Sequence, residues 1–235
     1  MKIAVAKEHR DFYKKNGWIE IENIFSANQL SQINAAIDQS LAEKLTISPD
    51  KLFNALPETI YLQGHDLWRV SEYLRQLISQ PRVAQIVSDL LEFKPLRVGF
   101  DQVLQAASES RFPRSSHYAK FLQETVSLQS ISSLKGLVGA MLICLNDPIE
   151  NLNEKENTDF FPNKAGNVTL LNPETPLDFS KLINSSKQRF YLITYAQSSS
   201  YYKHEPNDAH LHHLKMHGYS FNEKLTDRLN PIVYR

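Results

Sequence analysis

The spacing of apolar residues divides the chain into a first half with a helical period and a second half with a strand period. In the first half an apolar stripe recurs at steps of three and four residues, which is typical of an amphipathic helix. Its members are Leu30, Ile33, Ile37 and Leu41. Ser26 and Gln29 form a capping box before the stripe and predict that the helix begins there. Similar patterns predict helices over residues 8–16, 68–78 and 81–91.

In the second half the apolar residues come in short runs that are typical of β-strands. These runs cover residues 96–100, 103–104, 137–145, 168–171 and 190–195, and a further strand is predicted over 18–22. The long segments 106–116 and 147–167 between them are polar, as loops around a β-core are.

No repeat or linker divides the chain, so we predict a single α+β domain over residues 1–235. Its mainly helical part is 1–95, its β-sandwich or barrel is 96–200, and its C-terminal helix and tail are 201–235.

Composition excludes several classes of protein. The 26 basic and 26 acidic residues balance, which argues against a nucleic acid or an anionic membrane as partner. The longest apolar run, residues 136–145, is too short to span a bilayer, and residues 1–7 reach charge too early for a signal peptide. The single cysteine, Cys144, excludes a disulfide framework and is typical of a buried thiol. We therefore expect a cytoplasmic protein.

Three sequence blocks carry a family resemblance through their order and spacing. The first is 12–26, the second is 66–69 with 100–104, and the third is 166–169 followed by 178–195. Together they resemble the phytanoyl-CoA dioxygenase family of the iron(II)/2-oxoglutarate oxygenases. The resemblance implies a double-stranded β-helix core of the jelly-roll or cupin type, with the N-terminal helices packed on it.

The resemblance also implies iron(II) and 2-oxoglutarate as cofactors and assigns residues to them. In that family two histidines and one carboxylate hold the iron. An arginine about eleven residues after the distal histidine binds the far carboxylate of 2-oxoglutarate. His117 stands at the first ligand position, Asp178 at the distal histidine, and Arg189 eleven residues after Asp178. Gln105 stands where relatives place a lysine for 2-oxoglutarate.

Three of these positions depart from the family pattern. Asp178 replaces a histidine, Ala119 stands at the carboxylate position after His117, and Gln105 replaces the lysine. One imidazole and one carboxylate hold a divalent cation weakly. We therefore expect an inactive or altered oxygenase with a degenerate iron site, without a bound cofactor, that binds a small molecule or a partner.

An active 2-oxoglutarate-dependent dioxygenase with unusual ligands is the first alternative. It requires that His117, Asp178 and Arg189 converge on one cavity. Local structural roles are equally compatible with the sequence. Asp178 follows Pro176, and an aspartate there is typical of a turn. Arg189 is then an arginine at the end of a strand, paired with a nearby acid. His117 is then a histidine in a loop.

A histidine-rich segment near the C-terminus gives the second alternative, a surface metal binder. Its histidines are His204, His210, His212, His213 and His217. If Asp208 caps a short helix, His210, His213 and His217 share one face. Histidines four apart on a helix chelate transition metals, so His213 and His217 are the alternative metal ligands. A surface helix that packs on the barrel explains the same residues without a metal.

His65 and Asp66 form a further His/Asp pair before residues 67–69. Because the pair stands at a predicted helix start, we expect Asp66 to cap that helix rather than to bind a metal.

Overall fold

The computed structural model describes residues 5–105, 121, 125–147, 160–179 and 188–235. Helices come first in the chain and are followed by a curled antiparallel sheet, which confirms the predicted α+β class with a jelly-roll core.

The helices occupy the N-terminal part of the chain. They are α1 (Lys7–Asn16), α2 (Ala27–Leu45), α3 (Pro57–Gln63), α4 (Glu72–Ile78) and α5 (Pro81–Leu91), with 3₁₀ segments at Pro49–Asn54 and Leu67–Arg69. The capping box of α2 is confirmed, because the Gln29 backbone N–H donates to Ser26 Oγ and the Ser26 N–H donates to Gln29 Oε1. One further short helix, α6, spans His213–Met216.

The predicted helix over 68–78 is wrong in its first part. The 3₁₀ segment ends at Arg69, and a separate helix, α4, begins after its N-cap residue Ser71. The Ser71 hydroxyl accepts from the Leu74 N–H and replaces a bond that a continuous helix would supply.

The strands form two sheets. They are β1 (Trp18–Ile21), β2 (Leu96–Gln105), β3 (Thr125–Val126), β4 (Leu134–Cys144), β5 (Val168–Leu171), β6 (Leu177–Asp178), β7 (Arg189–Tyr202) and β8 (Ile232–Tyr234). A large sheet has the order β1-β5-β4-β7-β2-β8, and β3 pairs with β6 in a small sheet. The two runs predicted at 96–100 and 103–104 are one strand with an irregularity between Val98 and Asp101.

The large sheet is buried on both faces, and consecutive residues of β7 show this. Tyr191 and Ile193 pack against the helices in what we call the helix-side core. Phe190 and Leu192 belong to the inter-sheet core, which lies between the large and small sheets. Burial on both faces explains why β4 and β7 read as continuous apolar runs instead of alternating ones. Cys144 is buried at the end of β4, as predicted, and burial raises the pKa of its thiol to about 12.

Within the described ranges, no helix combines the length and the apolar character that crossing a membrane requires.

Candidate metal centre

A turn after α3 carries the first two residues of the site. The backbone of His65 forms an isolated β-bridge with Gln102 of β2, which fixes the turn against the large sheet. Asp66 follows with φ 53° and ψ 41°, a left-handed conformation that aspartate adopts more readily than most residues. This conformation turns the chain into the 3₁₀ segment, and both His65 and Asp66 are buried.

Asp101 of β2 caps this 3₁₀ segment. Its Oδ1 accepts from the Leu67 N–H at 2.7 Å, and its Oδ2 accepts from the Trp68 N–H at 2.8 Å. The Tyr191 hydroxyl donates to the same Oδ2. The prediction that Asp66 caps the segment is therefore wrong, because the capping carboxylate comes from a strand that is distant in sequence.

The Asp66 carboxylate instead faces side chains. Its Oδ1 accepts from the Trp68 indole N–H at 2.9 Å, and its Oδ2 accepts from Arg69 Nε–H at 2.7 Å. Nδ1 of His213 lies 3.2 Å from Oδ2, which is ion-pair distance without hydrogen-bond geometry. Burial alone would raise the pKa of Asp66, but the Arg69 guanidinium and the neighbouring His213 hold that pKa well below its usual value. The carboxylate is therefore ionised.

The C-terminal segment, residues 204–218, brings histidines to the same place. Asp208 anchors it, since Oδ2 accepts from the Ser133 N–H at 2.6 Å and Oδ1 accepts from the His210 N–H at 2.7 Å. The helix predicted after Asp208 is shorter than expected, because residues 208–212 form turns and α6 begins only at His213.

His65, Asp66 and His213 converge into one cluster. Each offers a ligand atom, and these atoms all lie within 4.8 Å of one another. The His210 ring stacks on His65 with centroids 4.0 Å apart and an interplanar angle of 9°. The His213 ring lies edge-on to His65 at 4.9 Å and 4.8 Å from the His217 ring. Two imidazoles and one carboxylate are the ligand set of many non-haem iron and catalytic zinc sites.

Burial keeps the imidazoles of His65, His210 and His217 in the neutral form that binds metals. It lowers the pKa of His65 to about 3 and that of His217 to about 4, and it holds the pKa of His210 well below its usual value. Within the described part of the chain, His210 Nε2, His213 Nδ1 and His217 Nε2 are buried without hydrogen-bond partners. Buried unpaired nitrogens are few in folded proteins. The residues therefore fit a divalent transition metal.

Gln102 orients the His65 ring. Its side-chain NH₂ donates to the carbonyls of Tyr61 at 2.8 Å and Val103 at 3.0 Å, which fixes Oε1 as the atom that faces His65 Nδ1 at 3.2 Å. Oε1 is only an acceptor, so Nδ1 carries the proton. Nε2 of His65 is then the nitrogen with a lone pair for a metal.

Two spaces border the cluster. A narrow cavity with about 40 Å³ of water-accessible space is lined by His65, Asp66 and Gln102. A wider groove of about 800 Å³ is open to solvent and is lined by Lys44 together with residues of the C-terminal segment. His210 and His213 line both spaces, so the cluster separates the cavity from the groove.

The inter-sheet core is packed with phenylalanine rings instead of polar groups. The Phe179 ring lies 4.4 Å from Phe121 and 5.2 Å from Phe160, measured between centroids. Leu177 and Phe179 are buried in this core, whereas Asp178 between them is exposed. Because side chains alternate along a strand, the Asp178 carboxylate points away from the inter-sheet core.

Arg189 lies on the opposite face of the large sheet from the inter-sheet core. Its Nη1 is 2.8 Å from Asp38 Oδ1 and donates to Asn34 Oδ1 at 3.3 Å, and both partners belong to α2. The alternative prediction, an arginine paired to a nearby acid, is therefore confirmed. Gln105 lies directly opposite Arg189 in the β2–β7 register and shares its face.

Among the described residues, neither Asp178 nor Arg189 belongs to the histidine cluster. His117 and Ala119 lie outside the described residues, so the iron ligand at His117 stays a prediction. Of the alternative ligands, His213 joins the cluster and His217 lies beside it.

Solved structures of similar architecture include non-heme alpha ketoglutarate dependent enzymes. SnoK, a non-heme alpha ketoglutarate dependent carbocyclase from nogalamycin biosynthesis, aligns over 97% of this chain and 96% of its own, with TM-score 0.64 and 16% identity. SnoN, an epimerase of the same biosynthesis, aligns over 96% and 97%, with TM-score 0.63 and 15% identity. This chain has their fold. CytC3, solved with Fe(II) and alpha-ketoglutarate, aligns over 88% of this chain and 82% of its own, with TM-score 0.56 and 12% identity. No protein-family model and no curated protein matches the sequence.

On this shared fold, sequence reasoning missed His65 and Asp66 as a pair that faces the C-terminal histidines. The available signal was their adjacency just before Leu67, together with the histidines at 210 and 213. The sequence alone does not reveal the pair, because the contact joins two segments that are far apart in the chain.

Proposed function

We propose that this protein is a non-standard relative of the iron(II)/2-oxoglutarate oxygenases, within or near the phytanoyl-CoA dioxygenase family. In this proposal the metal is held by His65, Asp66 and His213 rather than by His117 and Asp178. The observation that carries it is the convergence of the three ligand atoms within 4.8 Å. A cytoplasmic location belongs to the same proposal, because a lone buried cysteine suits a reducing compartment.

The chemistry of the donor set supports a transition metal over calcium or magnesium. Imidazole nitrogens suit iron, zinc and copper, whereas calcium and magnesium prefer sites built from oxygen alone. The set is two histidines and one aspartate, and hydrogen bonds hold His65 and Asp66 in place before any ion arrives. Iron(II) in such a set supplies the oxygen-activating chemistry of non-haem oxygenases.

The degenerate character of the usual site is the second part of the proposal. The aromatic packing around Phe179 fills the inter-sheet core, and Arg189 is paired with Asp38. A cosubstrate held by Arg189 would have to break this ion pair, and one placed in the inter-sheet core would have to displace a packed ring. We therefore infer that 2-oxoglutarate is not held by Arg189 and Gln105, and that hydroxylation by the usual family mechanism is absent.

An active 2-oxoglutarate-dependent dioxygenase that works from the new cluster is the second candidate. The ligand composition of the cluster favours it, and SnoN has been solved in complex with Fe3+, alpha ketoglutarate and nogalamycin RO on the same fold. In this candidate the chain uses its own cluster for the metal and an open groove for the organic ligand.

Metal titration of the untagged full chain tests the proposal. We expect one iron(II) or cobalt(II) per chain under anaerobic conditions, and Asp66→Asn or His213→Gln should weaken binding on the order of 100-fold or more. His212→Gln is the matched control, because His212 is exposed in the same segment. Equal binding by all variants, or none by the natural sequence, would overturn the proposal.

Adding 2-oxoglutarate to the iron(II)-loaded protein separates the two candidates. A visible charge-transfer band without oxygen, and succinate release with oxygen, would establish the active dioxygenase and remove the claim of lost hydroxylation. Both signals should then disappear in Asp66→Asn. We expect neither signal in the natural protein.

A further inference from the structure

We propose that the groove beside the histidine cluster binds a small carboxylate, held between the metal and the ammonium group of Lys44. This inference rests on the proposed metal centre and names the class of its exogenous ligand. The groove is the open space lined by Lys44, Leu62 and the C-terminal segment.

Lys44 is held at the edge of the cluster by two backbone carbonyls. Its Nζ donates to Gln63 O at 3.1 Å and to His65 O at 2.6 Å. An ammonium has three N–H donors, so one donor is left over among the described contacts. Since Lys44 lines the groove, an acceptor in that space is within its reach.

The balance of charge around the cluster calls for an anion. Asp66 is the single carboxylate of the ligand set, and the Arg69 guanidinium already pairs with it at 2.7 Å. With a divalent cation bound, the ligand set itself would supply one negative charge, that of Asp66, opposite the cation, Arg69 and Lys44. Positive charge that is removed from water without a partner is unfavourable, and a bound anion offsets it.

Two other carboxylates near the cluster are engaged elsewhere. Asp101 accepts from the backbone of Leu67 and Trp68 and from the Tyr191 hydroxyl. Asp208 lines the groove, but its oxygens accept from the Ser133 and His210 N–H groups. Neither belongs to the metal ligand set, so an exogenous carboxylate would be the second negatively charged ligand of the ion.

The shapes of the two spaces determine where the anion enters. The cavity is narrow, with about 40 Å³ of water-accessible space, whereas the groove is wider, with about 800 Å³, and reaches His213. Three protein ligands leave coordination positions for small molecules. Apolar side chains in the groove suit a short carbon chain attached to the carboxylate. They are Leu62, Pro206, Ala209 and Met216.

This subsite differs from the one that the family resemblance implies. In that family the positive group that binds the carboxylate is a strand arginine. In this chain the corresponding residue, Arg189, is paired with Asp38 on the helix side of the sheet. In this structure the cation comes from α2 and stands next to the His65 carbonyl.

Acetate titration of the cobalt(II)-loaded full chain tests the inference through the visible cobalt spectrum. We expect saturable spectral changes with acetate and none with chloride at equal ionic strength. Lys44→Met should weaken acetate binding about 10-fold or more, as expected for loss of a charge-assisted hydrogen bond. Lys44→Arg should recover most of the affinity, and Lys51→Met, an exposed lysine, is the control.

Metal affinity, measured on the same variants, distinguishes failure of the carboxylate subsite from failure of the metal centre. Lys44→Met removes a positive charge near the cation, so its cobalt(II) affinity should be equal to or higher than that of the natural protein. Loss of cobalt(II) binding in Lys44→Met would show that Lys44 only supports the turn, and would overturn the inference. Cobalt(II) binding without any response to acetate would overturn it too, but would leave the proposed metal centre intact. Absence of cobalt(II) binding in the natural protein would overturn both.

Discussion

Asp101 and Gln102 hold the turn of His65 and Asp66 from opposite faces of one strand. Asp101 points toward the helix side, where it meets Tyr191 and caps the backbone after Asp66. Gln102 points toward the cavity, where it fixes the His65 ring. Two neighbouring residues of β2 thus set the backbone and the imidazole of the proposed metal centre independently.

Substitution of Gln102 tests whether it positions the ligand. Gln102→Leu removes the acceptor for His65 Nδ1–H, so metal affinity should fall by about 10- to 100-fold, as for other residues that orient metal ligands. Gln102→Glu keeps an acceptor and should keep most of the metal affinity while losing stability, because its donors to Tyr61 and Val103 are gone. Equal metal affinity in Gln102→Leu and the natural protein, measured by calorimetry, would show that Gln102 does not position His65.

The stability of the metal-free protein should depend on pH through the buried histidines. The folded-state pKa values of His65 (about 3) and His217 (about 4) lie below the ordinary value of 6.5. Below pH 6.5 the unfolded chain therefore takes up protons that the folded chain does not. The free energy of unfolding should fall as the pH drops from 6.5 toward these values.

Asp101 should act in the opposite direction. Burial and the nearby Asp66 raise its folded-state pKa from 3.8 to about 7, so its contribution to stability falls as the pH rises through that window. In urea unfolding, His217→Gln should flatten the fall toward acid pH, and Asp101→Asn should steepen it. The same pH dependence in both variants would contradict the assigned protonation states.

At this scale the sequence identifies residue types but not their partners. The spacing of His213 and His217 made them metal candidates, and His213 does join the cluster. Asp66 was assigned to capping, which is the usual local role of an aspartate before a helix. Its actual partners are Trp68, Arg69 and His213, and the capping carboxylate is that of Asp101. Only the tertiary fold decides which of two acids caps the segment.

At the scale of elements, polar contacts attach the first part of the C-terminal segment 204–218 to the jelly roll. Asp208 and the Tyr202 hydroxyl fix its first part, where Tyr202 donates to the Leu211 carbonyl. Beyond them lie His213 and His217, each with a buried ring nitrogen that has no hydrogen-bond partner among the described residues. A metal shared by Asp66 and His213 would join this segment to the turn after α3.

Hydrogen exchange should detect this connection. Cobalt(II) should slow exchange of the amides in residues 208–217, because binding to the folded form stabilises it against local opening. The amides of α2 should not change, apart from those near Lys44. His213→Gln should abolish the protection and His212→Gln should retain it. Protection that survives in His213→Gln would place the ion elsewhere.

The elements themselves follow from local sequence where local signals are strong. The capping box of Ser26 and Gln29 locates the start of α2, and β5 has the predicted bounds. The short strands β3, β6 and β8 were not predicted, because two or three residues carry no period. They exist because they pair with partners that are distant in the chain.

At the scale of the whole molecule, the large sheet separates two apolar cores with different consequences for function. The helix-side core carries the helices, and the inter-sheet core fills the space between the two sheets with aromatic rings. The proposed metal centre lies where the turn after α3 meets the C-terminal segment. The fold was predictable from the order of the sequence blocks, whereas this location required the contact between the two segments.

The Phe179→Ala substitution tests whether the inter-sheet core and the metal centre are independent of each other. Removing a fully buried ring should lower the free energy of unfolding by about 3–5 kcal/mol, because a cavity is left in the inter-sheet core. Cobalt(II) affinity should not change. His213→Gln should do the reverse and abolish metal binding with little effect on stability. If Phe179→Ala weakened cobalt(II) binding as strongly as His213→Gln, the metal would belong to the inter-sheet core.

The position of a bound ion is the most direct test of the central claim. Crystals of the full chain grown with cobalt(II) and measured at the cobalt absorption edge would locate it by anomalous scattering. We expect a single strong peak in contact with His65, Asp66 and His213. A peak in the inter-sheet core beside Phe179, or no peak at this cluster at full cobalt(II) occupancy in solution, would contradict the proposed metal centre.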